Sequence, residues 1–103
     1  MGIESENNIE PKKRMVPMYN VVILNDEYHT YDYVVEMLMY VFKFDLEKAT
    51  DHTIEIDSTG RSIVYTGPLE HSEMKQEQIK NCGSDPSVGE YHGPMTVKLE
   101  PID

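Results

Sequence analysis

Apolar positions first cluster at residues 19–24 (Tyr-Asn-Val-Val-Ile-Leu), stop at Asn25-Asp26-Glu27, and resume from Tyr33 to Phe44. Val21, Val22 and Ile23 in succession predict a buried strand. Thr30 stands where a helix N-cap is needed, and Asp32 in the first turn suits the helix dipole. From there Asp32, Glu36 and Lys43 make one narrow polar stripe, while Val34, Val35, Met37, Leu38, Val41, Phe42 and Phe44 cover the rest. So thin a polar face predicts a central helix packed on more than one side. Met39 and Tyr40 fall on or near the stripe and are expected at the surface.

Asp45 is placed to cap a second, shorter helix with Leu46, Ala49, Thr53 and Ile54 at core spacing. Its end, Thr53-Ile54-Glu55-Ile56, alternates like a strand, so helix and strand both fit there. Ser58-Thr59-Gly60-Arg61 reads as a turn, with Gly60 supplying the permissive backbone. Residues 62–66 read as a second strand, and Gly67-Pro68 breaks it. Pro68 suits the start of a third helix over residues 69–81, polar apart from Leu69, Met74 and Ile79 and therefore superficial. Gly83 is a fitting stop for it. After a Gly/Ser/Asp/Pro-rich loop over residues 83–93, residues 95–99 alternate as a final strand. The order β-α-α-β-α-β predicts a small α+β domain, its three-stranded antiparallel sheet covered by helices on one face.

At 103 residues the chain is expected to hold one domain with a single core. Residues 1–17 carry Asn, Glu, Ser, Pro and the Lys12-Lys13-Arg14 triplet with little apolar content, which predicts a flexible extension ahead of a domain at 18–103. Nineteen acidic against nine basic residues give a formal charge of −10. That sign argues against nucleic acid, whose phosphates require an excess of Lys and Arg, and against an anionic membrane surface. It fits a cationic partner, or simply a solvated acidic surface. Cys82 is the only cysteine, so no internal disulfide forms and a reducing, cytoplasmic setting is expected. The polar first ten residues do not read as a signal peptide, and the run from Tyr33 to Phe44 is too short to span a bilayer.

The candidate chemistry sits where the first strand stops. Carboxylates and an amide at a strand-to-helix mouth, beside an apolar helix, suit capture of a small cation and point to a receptor for an amino group rather than an enzyme. On the residues alone, an Asx turn joining strand to helix is the plainer reading of Asn25-Asp26. His29, His52, His71 and His92 lack ligand spacing, so no metal is expected. Asp26, Glu27 and Asp57 form an acidic cluster that is weak ground for a cation site. No phosphate-binding glycine loop occurs, and Cys82 at the end of a surface helix is not placed as a nucleophile; no cofactor is expected.

Taken in order, Val22-Ile23-Leu24-Asn25-Asp26-Glu27-Tyr28, Val34-Val35-Glu36, Asp45-Leu46-Glu47-Lys48-Ala49-Thr50, Gly60-Arg61, Pro68, Glu73, Lys75, Gln78 and Pro94 resemble the ClpS adaptor family. The likeness runs continuously over residues 17–81 and again over 94–100. It implies the small ClpS-like α/β sandwich and a non-catalytic adaptor. Such an adaptor binds the N-terminal residue of proteins marked for degradation and delivers them to an AAA+ Clp unfoldase. By the same resemblance the extension would engage the unfoldase, and Glu70 and Lys75 would contact its N-domain. Asn25 and Asp26 would hold the substrate's α-amino group.

Four pocket positions depart from the family pattern. Asp57 stands where a histidine helps to bind the amine, and His29 replaces a threonine beside the motif. Tyr31 replaces a methionine gate, and Phe44 is taken as replacing a second wall methionine. Val34, Ile56 and Met95 keep the wall apolar. Stiffer aromatic walls predict a reshaped pocket. The rival expectation is a ClpS-like interaction module that has lost N-terminal recognition and only modulates the Clp machine. A hydrolase using the acidic cluster is a third, remoter reading.

Overall fold

A computed structural model describes residues 16–26, 28–83 and 93–102. The Lys12-Lys13-Arg14 triplet, most of the extension expected over 1–17, and residues 84–92 of the expected loop lie outside the described residues.

Six elements follow in the order β1 (Met18–Leu24), α1 (Tyr31–Phe42), α2 (Leu46–Thr59), β2 (Arg61–Pro68), α3 (Leu69–Asn81) and β3 (Val97–Ile102). The strands form one antiparallel sheet in the order β2-β1-β3. This is the α+β sandwich expected from the sequence. The most β-branched segment takes the central strand, and Val21, Val22 and Ile23 are fully buried. Val21 and Ile23 join the core formed with Val34, Leu38, Ala49, Ile56 and Ile79. Val22, on the alternate face, lies between its register partners Ile63 and Lys98. A bulge at Val21/Val22 leaves Val64 without a register partner, so that buried Val64 and half-buried Tyr65 both pack on the core.

Local capping fixes the helices. The Thr30 hydroxyl accepts from Tyr33 N at 3.2 Å and the Asp45 carboxylate from Lys48 N at 2.8 Å. Gly60, at φ 92°, ends α2 in the left-handed region and donates its N–H to the Ile56 carbonyl.

Several expectations are corrected. The first helix ends at Phe42 because Lys43 turns left-handed (φ 60°), so Phe44 is not on the helix wheel. The strand-like stretch 53–56 is helical through Thr59: Ala49, Thr53 and Ile56 form one buried stripe at i, i+4 and i+7. Leu46 at the open start of α2 and Ile54, one residue round from the stripe, are 62% and 50% exposed rather than core. Ser58 and Thr59 close the helix instead of forming the turn, their hydroxyls donating to Ile54 and Glu55 carbonyls. On α3 the buried residues are Ser72 and Ile79, whereas Leu69 and Met74 are exposed. β2 runs on to Pro68, and the last strand begins two residues later than expected, at Val97, and runs through Pro101. That proline is tolerated because β3 is an edge strand.

Candidate functional site

Where β1 ends, the backbone is stitched to two other elements. Leu24 N donates to the Thr96 carbonyl (3.0 Å) and Asn25 N to the Gly60 carbonyl (2.9 Å). The motif is thereby held against the end of α2 and the approach to β3. Asp26 then builds the Asx turn: its Oδ1 accepts from Tyr28 N (2.8 Å) and His29 N (3.0 Å). The His29 ring adds Nδ1 contacts of 3.0 and 2.8 Å to the two Asp26 oxygens, and its Nε2 lies 3.1 Å from the Gly93 carbonyl oxygen. Burial pushes the Asp26 carboxyl up. The hydrogen bonds from the His29 ring and from the two amides outweigh it and hold the group below its ordinary value.

Beside this turn lies a cavity of about 270 Å³ lined by Asn25, Asp26, His29, Tyr31, Val34, Thr53, Ile56, Asp57 and Met95. Val34, Thr53, Ile56 and Met95 are buried and form its apolar floor, while Asn25, Asp57 and Tyr31 are exposed at the rim. The volume falls below the ~300–1,000 Å³ usual for small-molecule pockets, so it fits one side chain with its attached polar group. The side chains of Asn25 and Asp57 have no hydrogen-bond or ion-pair partner among the described residues. Both are open acceptors at the lip of an apolar hole, an arrangement that suits a donor-rich cation carrying an apolar group.

Of the residues expected to bind substrate, all but Phe44 line this one cavity. Phe44 lies elsewhere, stacked on Phe42 and His52, because the left-handed Lys43 redirects the chain before it. Thr53 was missed. It lies one helical turn before Ile56 and Asp57, so reading 53–56 as helix reveals it from spacing alone. Its hydroxyl is already bonded to the Ala49 carbonyl at 2.8 Å. His29 lines the cavity with both ring nitrogens engaged by the protein itself.

Glu70 is exposed in the first turn of α3. Lys75 is less free than a solvated helix charge: its Nζ reaches the Val41 carbonyl at the end of α1 (3.4 Å) and stands 5.5 and 5.8 Å from the Phe42 and Tyr65 ring centres. With Tyr40, Val41, Lys43, Gln78, Asn81 and Cys82 it borders a second cavity of about 350 Å³. That hollow is larger but lacks a buried apolar floor facing open acceptors. Burial pushes the Cys82 thiol up, which disfavours the reactive thiolate. Among the described residues no cluster of His, Cys, Asp or Glu is placed to hold a metal ion, and no helix is long and apolar enough to cross a membrane.

Comparison with known proteins places this site in context. The family described as "ATP-dependent Clp protease adaptor protein ClpS" matches residues 14–89. The ClpS adapter of Campylobacter jejuni is 38% identical over 76 residues, covering 72% of this chain and 74% of its own. That of Nautilia profundicola is 37% identical over 73 residues (71% and 73%), and that of a Nostoc species 29% identical over 82 residues (79% and 84%). In fold the chain is similar to ClpS2 of Agrobacterium tumefaciens, solved bound to L-phenylalaninamide. The TM-score is 0.73 at 22% identity, covering 85% of this chain and all of that one. The chain belongs to the ClpS family of ATP-dependent Clp protease adaptors.

Proposed function

We propose that this protein captures the N-terminal residue of other polypeptides and delivers them to an AAA+ Clp unfoldase, without catalysing a reaction itself. The observation that carries the reading is a single cavity in which an apolar floor (Val34, Thr53, Ile56, Met95) meets the polar groups of Asn25, Asp26 and Asp57. An N-terminal residue offers the complement: an α-ammonium with three donors and an ordinary pKa of about 7.7–8, joined to a side chain. Burying that side chain contributes about 1.5–3 kcal/mol, and the ammonium adds charge-assisted hydrogen bonds. The ClpS2 relative was solved with L-phenylalaninamide, a ligand of this chemistry. Tyr31, 47% exposed at the rim, acts as the gate that limits which side chains enter. Glu70 and Lys75 meet the N-domain of the unfoldase, together with the extension over residues 1–17. The single cysteine fits action in the cytoplasm.

A second reading, a module that modulates the Clp machine without reading N-termini, draws on one observation. Asp26 already accepts three N–H groups from its own turn. Titration calorimetry with peptides differing only at residue one separates the two. Strong dependence on the first side chain supports capture, and uniform or absent binding supports the modulator.

A further inference from the structure

We infer that His29 has withdrawn Asp26 from ligand binding, so that Asp57 is the charged partner of the amino group in this cavity. The inference rests on the amine-capture reading above and assigns its ion pair to a different residue. The His29 side chain is only 2% exposed and faces acceptors at both nitrogens, the Asp26 carboxylate and the Gly93 carbonyl. The ring is thereby held between two acceptors of the protein itself and is not available to a ligand. With the Tyr28 and His29 amides, Asp26 has three N–H donors, so its oxygens are already engaged within the turn. His29 is thus a positioning residue. It fixes the turn and pins Gly93, two residues before the wall residue Met95.

Asp57 is the reverse case. It lines the same cavity and is exposed, and its carboxylate has no side-chain partner among the described residues. It also stands in the last turn of α2, a turn that holds no basic residue. The carbonyl end of a helix carries partial negative charge, so a carboxylate there is held at a cost that an incoming cation relieves. Asn25, tied through its N–H to the Gly60 carbonyl just past that turn, supplies the second open acceptor. Among the described residues, His29 and Tyr31 line the cavity with the two carboxylates, Tyr28 bonds Asp26 through its amide, and the Tyr33 ring centre is 5.1 Å from that of His29.

The test compares wild type with Asp57→Asn, Asp26→Asn and the double variant Asp57→Asn/His29→Thr. Each is titrated with the tightest-binding free-amine peptide and with its acetylated form. Asn keeps an oxygen for the Asx turn, so Asp26→Asn removes charge and leaves the turn. The expected result is an affinity loss of about ten-fold or more in Asp57→Asn for the free amine only, with melting temperature unchanged or raised. Asp26→Asn loses less than about three-fold, and adding His29→Thr to Asp57→Asn restores part of the binding because Asp26 is released. Asp57→Asn within about two-fold of wild type, alongside a ten-fold loss in Asp26→Asn, overturns the assignment. If wild type binds free and acetylated peptides alike, the capture reading itself fails and this inference goes with it.

Discussion

Phe44 stacks on His52, ring centres 5.1 Å apart and planes 16° from parallel, outside the candidate cavity. The two rings join the end of α1 to the middle of α2, and Phe42 is also stacked with Phe44 at 5.3 Å. Phe44 is therefore structural. Phe44→Ala is expected to cost about 1–3 kcal/mol, below the range for a fully buried phenylalanine because the side chain is only half-buried. Peptide affinity should stay within about two-fold of wild type. Chemical denaturation and a peptide titration on the same variant check both halves.

Thr53→Leu is the complementary case. Thr53 is buried in the cavity floor, so the larger side chain takes up room meant for the ligand. Peptides with a bulky first residue should lose about ten-fold or more in affinity, while those with a small first residue change little. A titration series across first residues reads the pattern.

Acid should expose the Asp26 turn. Its carboxyl lies below the ordinary value of 3.8 in the folded protein, so the unfolded chain takes up the proton first. The stabilisation is present above that value and is lost as pH falls through the folded one. Asp26→Asn should flatten this acid limb in a series of unfolding curves below pH 4, relative to wild type.

His52 should give a slope at higher pH. Burial holds its ring below the ordinary 6.5; Lys48 acts in the same direction, while Glu55 and Asp51 oppose it. Folding therefore disfavours the protonated ring, and its contribution is complete above 6.5 and declines as pH falls below it. His52→Gln should lack that decline in unfolding free energy measured from pH 8 to 5.

Amine capture has its own window. Carboxylate and α-ammonium are both charged between roughly pH 5 and 8, and peptide affinity should peak there. A profile that stays flat from about pH 4 to 10 contradicts the ion pair.

The parts of the fold written in local signals were legible. Thr30 and Asp45 announced the starts of α1 and α2, Pro68 and Gly83 bracketed α3, and three β-branched residues marked the central strand. What escaped was set by tertiary contacts. Four alternating residues at 53–56 satisfy a strand period as well as a helical one, and only packing of Ala49, Thr53 and Ile56 on the core decides. Lys43 gave no sign of its left-handed backbone, since that conformation is normally left to Gly or Asn, and so Phe44 was read onto the first helix. Most of the cavity lining followed from family resemblance. The clamping of the His29 ring between Asp26 and the Gly93 carbonyl did not, because that carbonyl is 64 residues away.

The most direct test of amine capture is calorimetric titration of the wild-type protein with one peptide in two forms, its first amino group free or acetylated. Acetylation removes the positive charge and leaves the side chain untouched, and the account predicts an affinity loss of about ten-fold or more. Equal affinities for the two forms would contradict it.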